Sequence, residues 1–512
     1  MTAQSELETR QDTRANAERI GPHDPRYTGL VRRGFNKRVI GTPDYVQLVG
    51  STAQVVSAVQ DAVRDNVRFT VRSGGHCLEG FVSDPEIRAV IDTSLMTDVY
   101  FDAAMGAFAI EPGVTLGDAY RKLCLGWGVT IPAGEGPSVG VGGHIVGGAF
   151  GFLCRQHGLA ADHLYAVEVV VVDETGSARA VVATREADDP NRDLWWAHTG
   201  GGGGNFGIVT KYWMRSPDAS DDDPSALLPE APQSVLTCVA EWNWDDVNEA
   251  SFTRLTRNYG EWCEHNSEPN TPSSDLFSIL SIPRRQSGKI VLRAVVTGGG
   301  AAQAVLDDHL SAISSGTRSP NTCHVTQMSW LTFALDPFPP LFTEGMGDAR
   351  MKIKDAFFRK RYTDKQIAVA YQYLTRSDVD IPGGGVGLAT YGGQVNAIAA
   401  DETASAQRES IMTTAYTVGW GNPADEAKSL DWLRQFYRDL FADTGGVPVP
   451  GDVSNGALIN HPDADLADPA WNTSGVPWST VYYKNNYPRL QRIKAKWDPR
   501  DVFHHALSVR PA

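Results

Sequence analysis

Glycine placement constrains this chain more than any other feature, because glycine clusters where strand-like runs begin or end. Ser73-Gly74-Gly75-His76 follows a strand-like run at 68–72, and a glycine-dense stretch covers 134–158. Five consecutive glycines, Gly200 to Gly204, lead through Asn205-Phe206-Gly207 into a strand-like run at 208–214. Backbone without Cβ can approach another group closely, and successive N–H groups form a concavity that binds anions. A chain that opens its backbone this way three times is expected to touch an anionic cofactor. A dinucleotide fingerprint needs G-x-G-x-x-G between strand and helix, with an acidic residue about 20 positions on. Gly140-Val141-Gly142-Gly143 lacks that spacing, and the five-glycine run enters a strand instead of a helix. An NAD-dependent dehydrogenase is therefore set aside.

Periodicity around these blocks predicts alternating helices and strands. Residues 41–49 read as a loop and strand, and 52–65 as a helix with Val55, Val56, Val59 and Val63 on one side. Short strands are predicted at 89–92 and 107–110, a helix at 116–125, and a buried strand at the β-branched run 165–173. The Asp-, Pro- and Ser-rich stretch 216–232 reads as a linker. Beyond it, strands at 276–282 and 290–296 alternate with helices at 303–313, 364–374 and 425–441, the pattern of a sheet covered by helices. From 471 the chain is expected to return to a strand, a helix at 487–496 and a Pro-containing tail. A 55.5 kDa chain exceeds one simple core. The expectation is an α+β protein of two domains, 1–215 plus 471–512 and 216–470, the second supplying a substrate-binding sheet.

Charge and cysteine usage exclude several functions. A net charge of −15 opposes a nucleic-acid partner, and no run of 18 apolar residues is present to span a membrane. The polar stretch up to Ile20 reads as a solvated arm with no signal-peptide core, so a cytoplasmic location is expected. Six cysteines without paired spacing imply reduced thiols and no zinc, and no other metal-ligand spacing occurs. No G-x-S-x-G elbow marks a serine hydrolase.

The motifs together resemble one family. Arg72-Ser73-Gly74-Gly75-His76 is similar to the flavin-attachment motif of vanillyl-alcohol-oxidase-type flavoproteins, in their berberine-bridge-enzyme-like branch. The likeness continues through Val139-Gly140-Val141-Gly142-Gly143-His144, Gly147-Gly148-Ala149-Phe150-Gly151 and Arg155-Gln156-His157-Gly158-Leu159 with Asp162. It resumes at Gly204-Asn205-Phe206-Gly207, Ile459-Asn460-His461-Pro462-Asp463-Ala464-Asp465, Tyr482-Tyr483-Lys484-Asn485-Asn486 and Asp498-Pro499-Arg500 with Phe503. Within the branch, Asp193-Leu194-Trp195-Trp196-Ala197-His198-Thr199 and Asn472-Thr473-Ser474-Gly475-Val476-Pro477-Trp478 resemble actinobacterial glycopeptide hexose oxidases.

The resemblance implies a PCMH-type FAD-binding fold, with FAD bonded covalently to His76. It also implies hydride transfer from an alcohol carbon of a sugar or glycosylated natural product, with O2 giving H2O2, in secondary-metabolite biosynthesis. Oxidative cyclisation or desaturation of a polyketide or alkaloid, and a scaffold with a non-redox flavin, are the alternatives. Cofactor contacts are expected at Arg72, Ser73, Gly74, Gly75, His76, Gly136, Val139, Gly140, Gly142, Gly143 and His144. Further contacts are expected at Gly147, Gly148, Gly151, His157, Gly158, Asn205, Gly207, Ile208, Val209, Asn460, Tyr482, Asn485 and Asn486. Many relatives add a cysteinyl flavin link where Gly136 stands here, so a single link is expected. Phe150 occupies the place of an active-site tyrosine of the glycopeptide oxidases. Tyr482 is the expected base, with Tyr391 and Tyr483 as further catalytic candidates. A phenol needs a nearby positive charge to act as a base near neutral pH, and Lys484 or Arg359 would supply it.

Overall fold

The computed structural model describes residues 17–219, 223–338 and 350–512. Three sheets organise them. In the first, β1 (Glu18–Ile20), β2 (Tyr45–Leu48), β3 (Phe69–Arg72) and β4 (Ala89–Asp92) lie in the order β1-β2-β4-β3. Strands β2, β4 and β3 are parallel, and their short apolar runs are buried, as parallel sheets require. The predicted arm meets a different outcome. Residues 18–20 pair antiparallel with β2, Glu18 opposite Leu48, and the rest of the arm lies outside the described residues.

A second, antiparallel sheet follows: β5 (Val99–Asp102), β6 (Ala107–Ile110), β7 (Leu164–Val172), β8 (Ala178–Thr184) and β9 (Ile208–Met214), in the order β5-β6-β9-β7-β8. Helix Thr52–Arg64 starts where Ser51 Oγ accepts the Gln54 N–H. Its Val55, Ala58, Val59 and Ala62 pack between the two sheets against Ile91, Val170, Val172 and Ile208. Helix Leu116–Trp127 is capped by Thr115 and stops at Gly128, which adopts φ +72.

The third sheet has seven antiparallel strands. They are β10 (Ser234–Asn243), β11 (Leu276–Pro283), β12 (Lys289–Val296), β13 (Thr322–Ser329), β14 (Arg350–Phe358), β15 (Gly385–Thr390) and β16 (Met412–Trp420). Their order is β13-β10-β12-β11-β15-β16-β14. Helices Glu249–His265, Ala302–Ser314, Asp364–Thr375 and Glu426–Leu440 pack on it, burying alternate residues such as Leu280, Leu292, Leu388 and Tyr416. The opposite face carries Ile279, Ile353, Gly387, Ala389, Thr413, Ala415 and Thr417 toward the glycine blocks.

The strand expected after 471 is a helix, Trp478–Tyr483, entered from Pro477. Aromatic residues favour strands only weakly against tertiary context. Here Trp478 meets Tyr482 edge-on at the i, i+4 helical spacing, and Tyr483 stacks across the following turn on Tyr487 with ring centres 5.9 Å apart. After a break at Lys484, φ +49, and a 3-10 turn Lys484–Asn486, helix Tyr487–Trp497 follows and packs on Arg192–Ala197.

Candidate functional site

A cavity of about 710 Å3 separates the glycine blocks from the seven-stranded sheet. That size suits a cofactor with a substrate-sized space beside it. One wall is backbone-rich. The turn after β3 and the loop before Val141 press together so closely that a Cβ on Gly74 would lie 2.3 Å from Gly140 N, and one on Gly140 would lie 2.3 Å from Gly74 N. Only glycine at both positions permits the approach, which places His76 and Ser138 on the same wall, Nε2 3.1 Å from Oγ. His76 stacks on Phe35 with ring centres 4.6 Å apart, and burial pushes its imidazole down to about 4. The ring is therefore neutral at physiological pH, the form in which a nitrogen can bond to carbon.

Arg72, Ser73, Gly74, Gly75, Gly136, Val139, Gly140, Gly142, Gly143 and His144 also line the cavity, with Asn205, Gly207, Ile208, Val209 and Asn460. Arg72 is held by Asp92, its Nε donating to Oδ2 at 2.9 Å, and Arg33 meets the same carboxylate at 2.8 Å. His144 Nε2 accepts the Gly134 N–H at 2.8 Å, and burial pushes the ring down to about 3, so it serves as a fixed acceptor. Asn460 reaches back to this loop, donating from Nδ2 to the His144 carbonyl at 3.1 Å.

The remaining expected contacts sit elsewhere. Gly147 lies against Asn460, Gly148 against Ser405, and Gly151 against the Ala133 carbonyl, each too close for a side chain. Gly158 adopts φ +81 beside Asp162, and the His157 carbonyl accepts from His163. These residues brace the walls from behind. Asn486 donates to the Ala400 and Thr403 carbonyls, while Asn485 is exposed. In the same layer Arg408 makes a buried two-oxygen pair with Asp162, and Arg155 donates to the carbonyls of Tyr391, Asn266 and Ser273. The Arg155-to-Asp162 motif thereby joins the segment after the glycine-dense stretch to the segments around the third sheet.

None of the three expected catalytic tyrosines lines the cavity. Tyr482 is buried behind the turn at Pro462, its hydroxyl accepting the Asp463 N–H at 2.9 Å. Burial, with the Asp463 and Asp355 carboxylates beside it, raises this phenol well above its usual range. Neither expected cation lowers it. Lys484 donates to the Ala406 carbonyl and Asn455, and Arg359 pairs with Glu409. Burial and Arg359 push Lys484 itself down to about 7. Tyr483 donates to the Gly201 carbonyl at 2.9 Å, and Tyr391 packs edge-on to Phe150 and Phe357.

Groups that the sequence reading passed over do face the cavity. His461 lines it two residues from Asp463, with Nδ1 3.5 Å from Asp355 Oδ2 and its ring edge-on to Phe150. Glu135 lines it beside Gly136, and burial pushes its carboxyl up to about 7. His461 stood in plain view inside a quoted motif. Glu135, the one ionisable residue between two glycines, was the available signal there. Behind the loop runs a buried ion network. Lys352 meets Glu79 and Asp463, Lys354 meets Asp463 and Asp465, and Arg434 meets Asp465. This ties edge strand β14 to the segment that presents His461.

A wall of close-packed glycine turns with a neutral histidine, facing a sheet of small side chains, fits a flavin cofactor. The sequence comparisons agree. Residues 43–179 match the FAD binding domain family, and 457–510 match the berberine and berberine-like family. The aclacinomycin-N/aclacinomycin-A oxidase of Streptomyces galilaeus is 52% identical over 489 residues, covering 95% of this chain and 89% of the relative. This chain is a berberine-bridge-enzyme-like, FAD-linked oxidoreductase. The hexose oxidase of Chondrus crispus is 30% identical, with 95% and 93% of the two chains covered. Among solved structures, aclacinomycin oxidoreductase superposes with a TM-score of 0.94 at 51% identity, over 97% of this chain and 100% of that one. A glycopeptide hexose oxidase complexed with teicoplanin gives 0.93 at 49% identity, over 97% and 99%. The antiparallel sheets and the expected α+β class match these neighbours. Among the described residues no helix is long and apolar enough to cross a membrane.

Proposed function

We propose that this enzyme oxidises an alcohol carbon of a sugar or sugar-bearing natural product, with FAD tethered through His76. Bound FAD would accept the hydride and be reoxidised by O2, releasing H2O2. The observation that carries the reading is the pairing of the two cavity walls. On one side, His76, Ser138, Gly140, Gly142 and Gly143 offer close backbone and a neutral imidazole to the cofactor. On the other, Gly387, Ala389, Thr413, Ala415 and Thr417 present short side chains and leave space for a bulky substrate. The threonine hydroxyls can exchange hydrogen bonds with sugar hydroxyls. Relatives named for aclacinomycin, hexose and a teicoplanin complex support a glycosylated substrate, and Gly136 in place of a cysteine supports a single flavin link. The two-domain division, 1–215 plus 471–512 and 216–470, accords with sheets confined to 18–214 and 234–420. Six unpaired cysteines accord with a reducing cytoplasm.

The test is a visible spectrum of the pure protein before and after acid precipitation. Yellow colour that stays with the pellet, and is lost from it in His76→Ala, supports the tether. Flavin that leaves in the supernatant of the unmodified enzyme overturns it. Candidate glycosides are then screened by peroxide release; flavin without peroxide from any alcohol would favour a non-redox scaffold.

A further inference from the structure

Six histidines line the cavity, and five of them have rings engaged by neutral groups. His76 faces Ser138 Oγ, and His144 holds the Gly134 N–H. His198, His504 and His505 point ring nitrogens at the carbonyls of Leu194, Asp501 and Gly203. His461 differs. Its Nδ1 lies 3.5 Å from Asp355 Oδ2, and the Asp355 carboxylate also accepts the Leu458 N–H at 3.1 Å. Asp355 sits on β14 two residues from Ile353, opposite Ala415, so it shares the sheet face that lines the cavity. Its carboxyl is 2% exposed, and burial pushes it up, with His461 opposing that rise. A buried carboxylate of this kind is stabilised most when the ring beside it becomes positive. At 3.5 Å this is a charge contact and not a hydrogen bond, and His461 Nδ1 has no hydrogen-bond partner among the described residues. A small ring rotation would let Nδ1–H donate to the carboxylate and leave Nε2 as the acceptor.

We propose that His461, oriented by Asp355, accepts the substrate hydroxyl proton in the oxidation inferred above, on which this assignment rests. The O–H bond breaks toward Nε2, and its electron pair becomes the second C–O bond. The hydrogen on that carbon would leave as hydride with the C–H electron pair, and bound oxidised FAD would supply the acceptor. Substrate loses one proton and one hydride and becomes a carbonyl compound. Asp355 acts through the ring and is a positioning residue. Other titratable groups near His461 are Glu135, the neutral His144 and, in its own turn, Asp463. Asp463 is neutralised by Lys352 and Lys354. Glu135 is the competing base: burial pushes its carboxyl up to about 7, and the Glu135→Gln variant below separates it from His461.

The test uses holoenzyme and a glycoside that releases peroxide with the unmodified protein, mixed anaerobically while flavin reduction is followed from pH 5 to 9. The expected wild-type rate rises along one titration limb. His461→Gln should slow reduction by about 100-fold or more and abolish the limb, a general base being worth roughly 10²–10⁴. Acid-stable flavin should be unchanged. Asp355→Asn should move the limb to lower pH. A second readout does not need turnover: in ¹⁵N-histidine-labelled holoenzyme, the ring signal missing from His461→Gln should change its tautomer pattern in Asp355→Asn. Reduction within threefold of wild type in His461→Gln, or a limb abolished by Glu135→Gln instead, overturns the assignment. Should no glycoside reduce the wild-type flavin, the oxidase reading fails by itself. The labelled ring then decides the pair, and a signal indifferent to Asp355→Asn overturns it.

Discussion

Replacing Tyr482 by phenylalanine separates a base from a brace. The hydroxyl is buried and accepts one hydrogen bond, from the Asp463 N–H, in the turn that follows His461. Removing it leaves that N–H without its partner, and an unsatisfied buried donor costs about 1–3 kcal/mol. At roughly 2 cal/mol/K of unfolding entropy per residue, a chain this long would lose only ~1–3 °C if it melted as one unit. The denaturant midpoint, read by tryptophan fluorescence, is therefore the better stability measure. Because the phenol does not face the cavity, and Asp463 and Asp355 beside it oppose its ionisation, the flavin-reduction rate should fall less than about tenfold. Any loss would reflect a loosened His461 turn. A fall of 10³ or more with an unchanged denaturant midpoint would refute this reasoning and restore Tyr482 as the proton acceptor, since a general base contributes about 10²–10⁴.

Three further outcomes follow from the same geometry. Gly140→Ala drives a Cβ into Gly74 N, where backbone must shift, so flavin content per chain should drop sharply and stability by at least the ~1–3 kcal/mol typical of overpacking; full flavin loading would refute the close approach. Lys354→Met leaves Asp463 and Asp465 short of a buried cation and should cost about 3–5 kcal/mol in chemical denaturation. In acid, burial alone would raise Asp465, but Lys354, Arg434 and Lys352 outweigh it and hold the carboxyl well below its usual range. Its contribution is then complete above the unfolded carboxyl value near 4 and is lost as pH falls below it. Asp465→Asn should accordingly lower stability at pH 7 and shrink the difference between pH 6 and pH 3.

The parts of the fold legible in the sequence were those with a local signature. Helix Thr52–Arg64 has apolar spacing and a serine cap, and β7 is a continuous β-branched run. The strands at the centre of the cavity-lining face were far less legible. In β15, Gly-Val-Gly-Leu-Ala-Thr is small and glycine-broken, and β16 mixes threonines with aromatics. Those residues are small because the cavity lies over them, so the functional demand erased the strand signal. Helix Trp478–Tyr483 was misread for the opposite reason. Its aromatics look strand-like one by one, and only the i, i+4 contact of Trp478 with Tyr482 reveals a helix.

The site divides along the same line. Cofactor-side residues cluster in short glycine motifs, and most of them reach one wall, because an anionic cofactor is met by contiguous backbone. Substrate-side chemistry is assembled across long separations. His461 gains its carboxylate from Asp355, about a hundred residues earlier, and only because β14 pairs with β16 in a register that sets Asp355 opposite Ala415. A tyrosine pair beside an Asn-Asn run is a conspicuous pattern, whereas one histidine before a proline is not. Conspicuousness in sequence reports what must be contiguous. A proton acceptor need only be adjacent in space, so a motif-based reading favours the tyrosine pair, whereas the fold sets His461, and not those phenols, on the cavity lining.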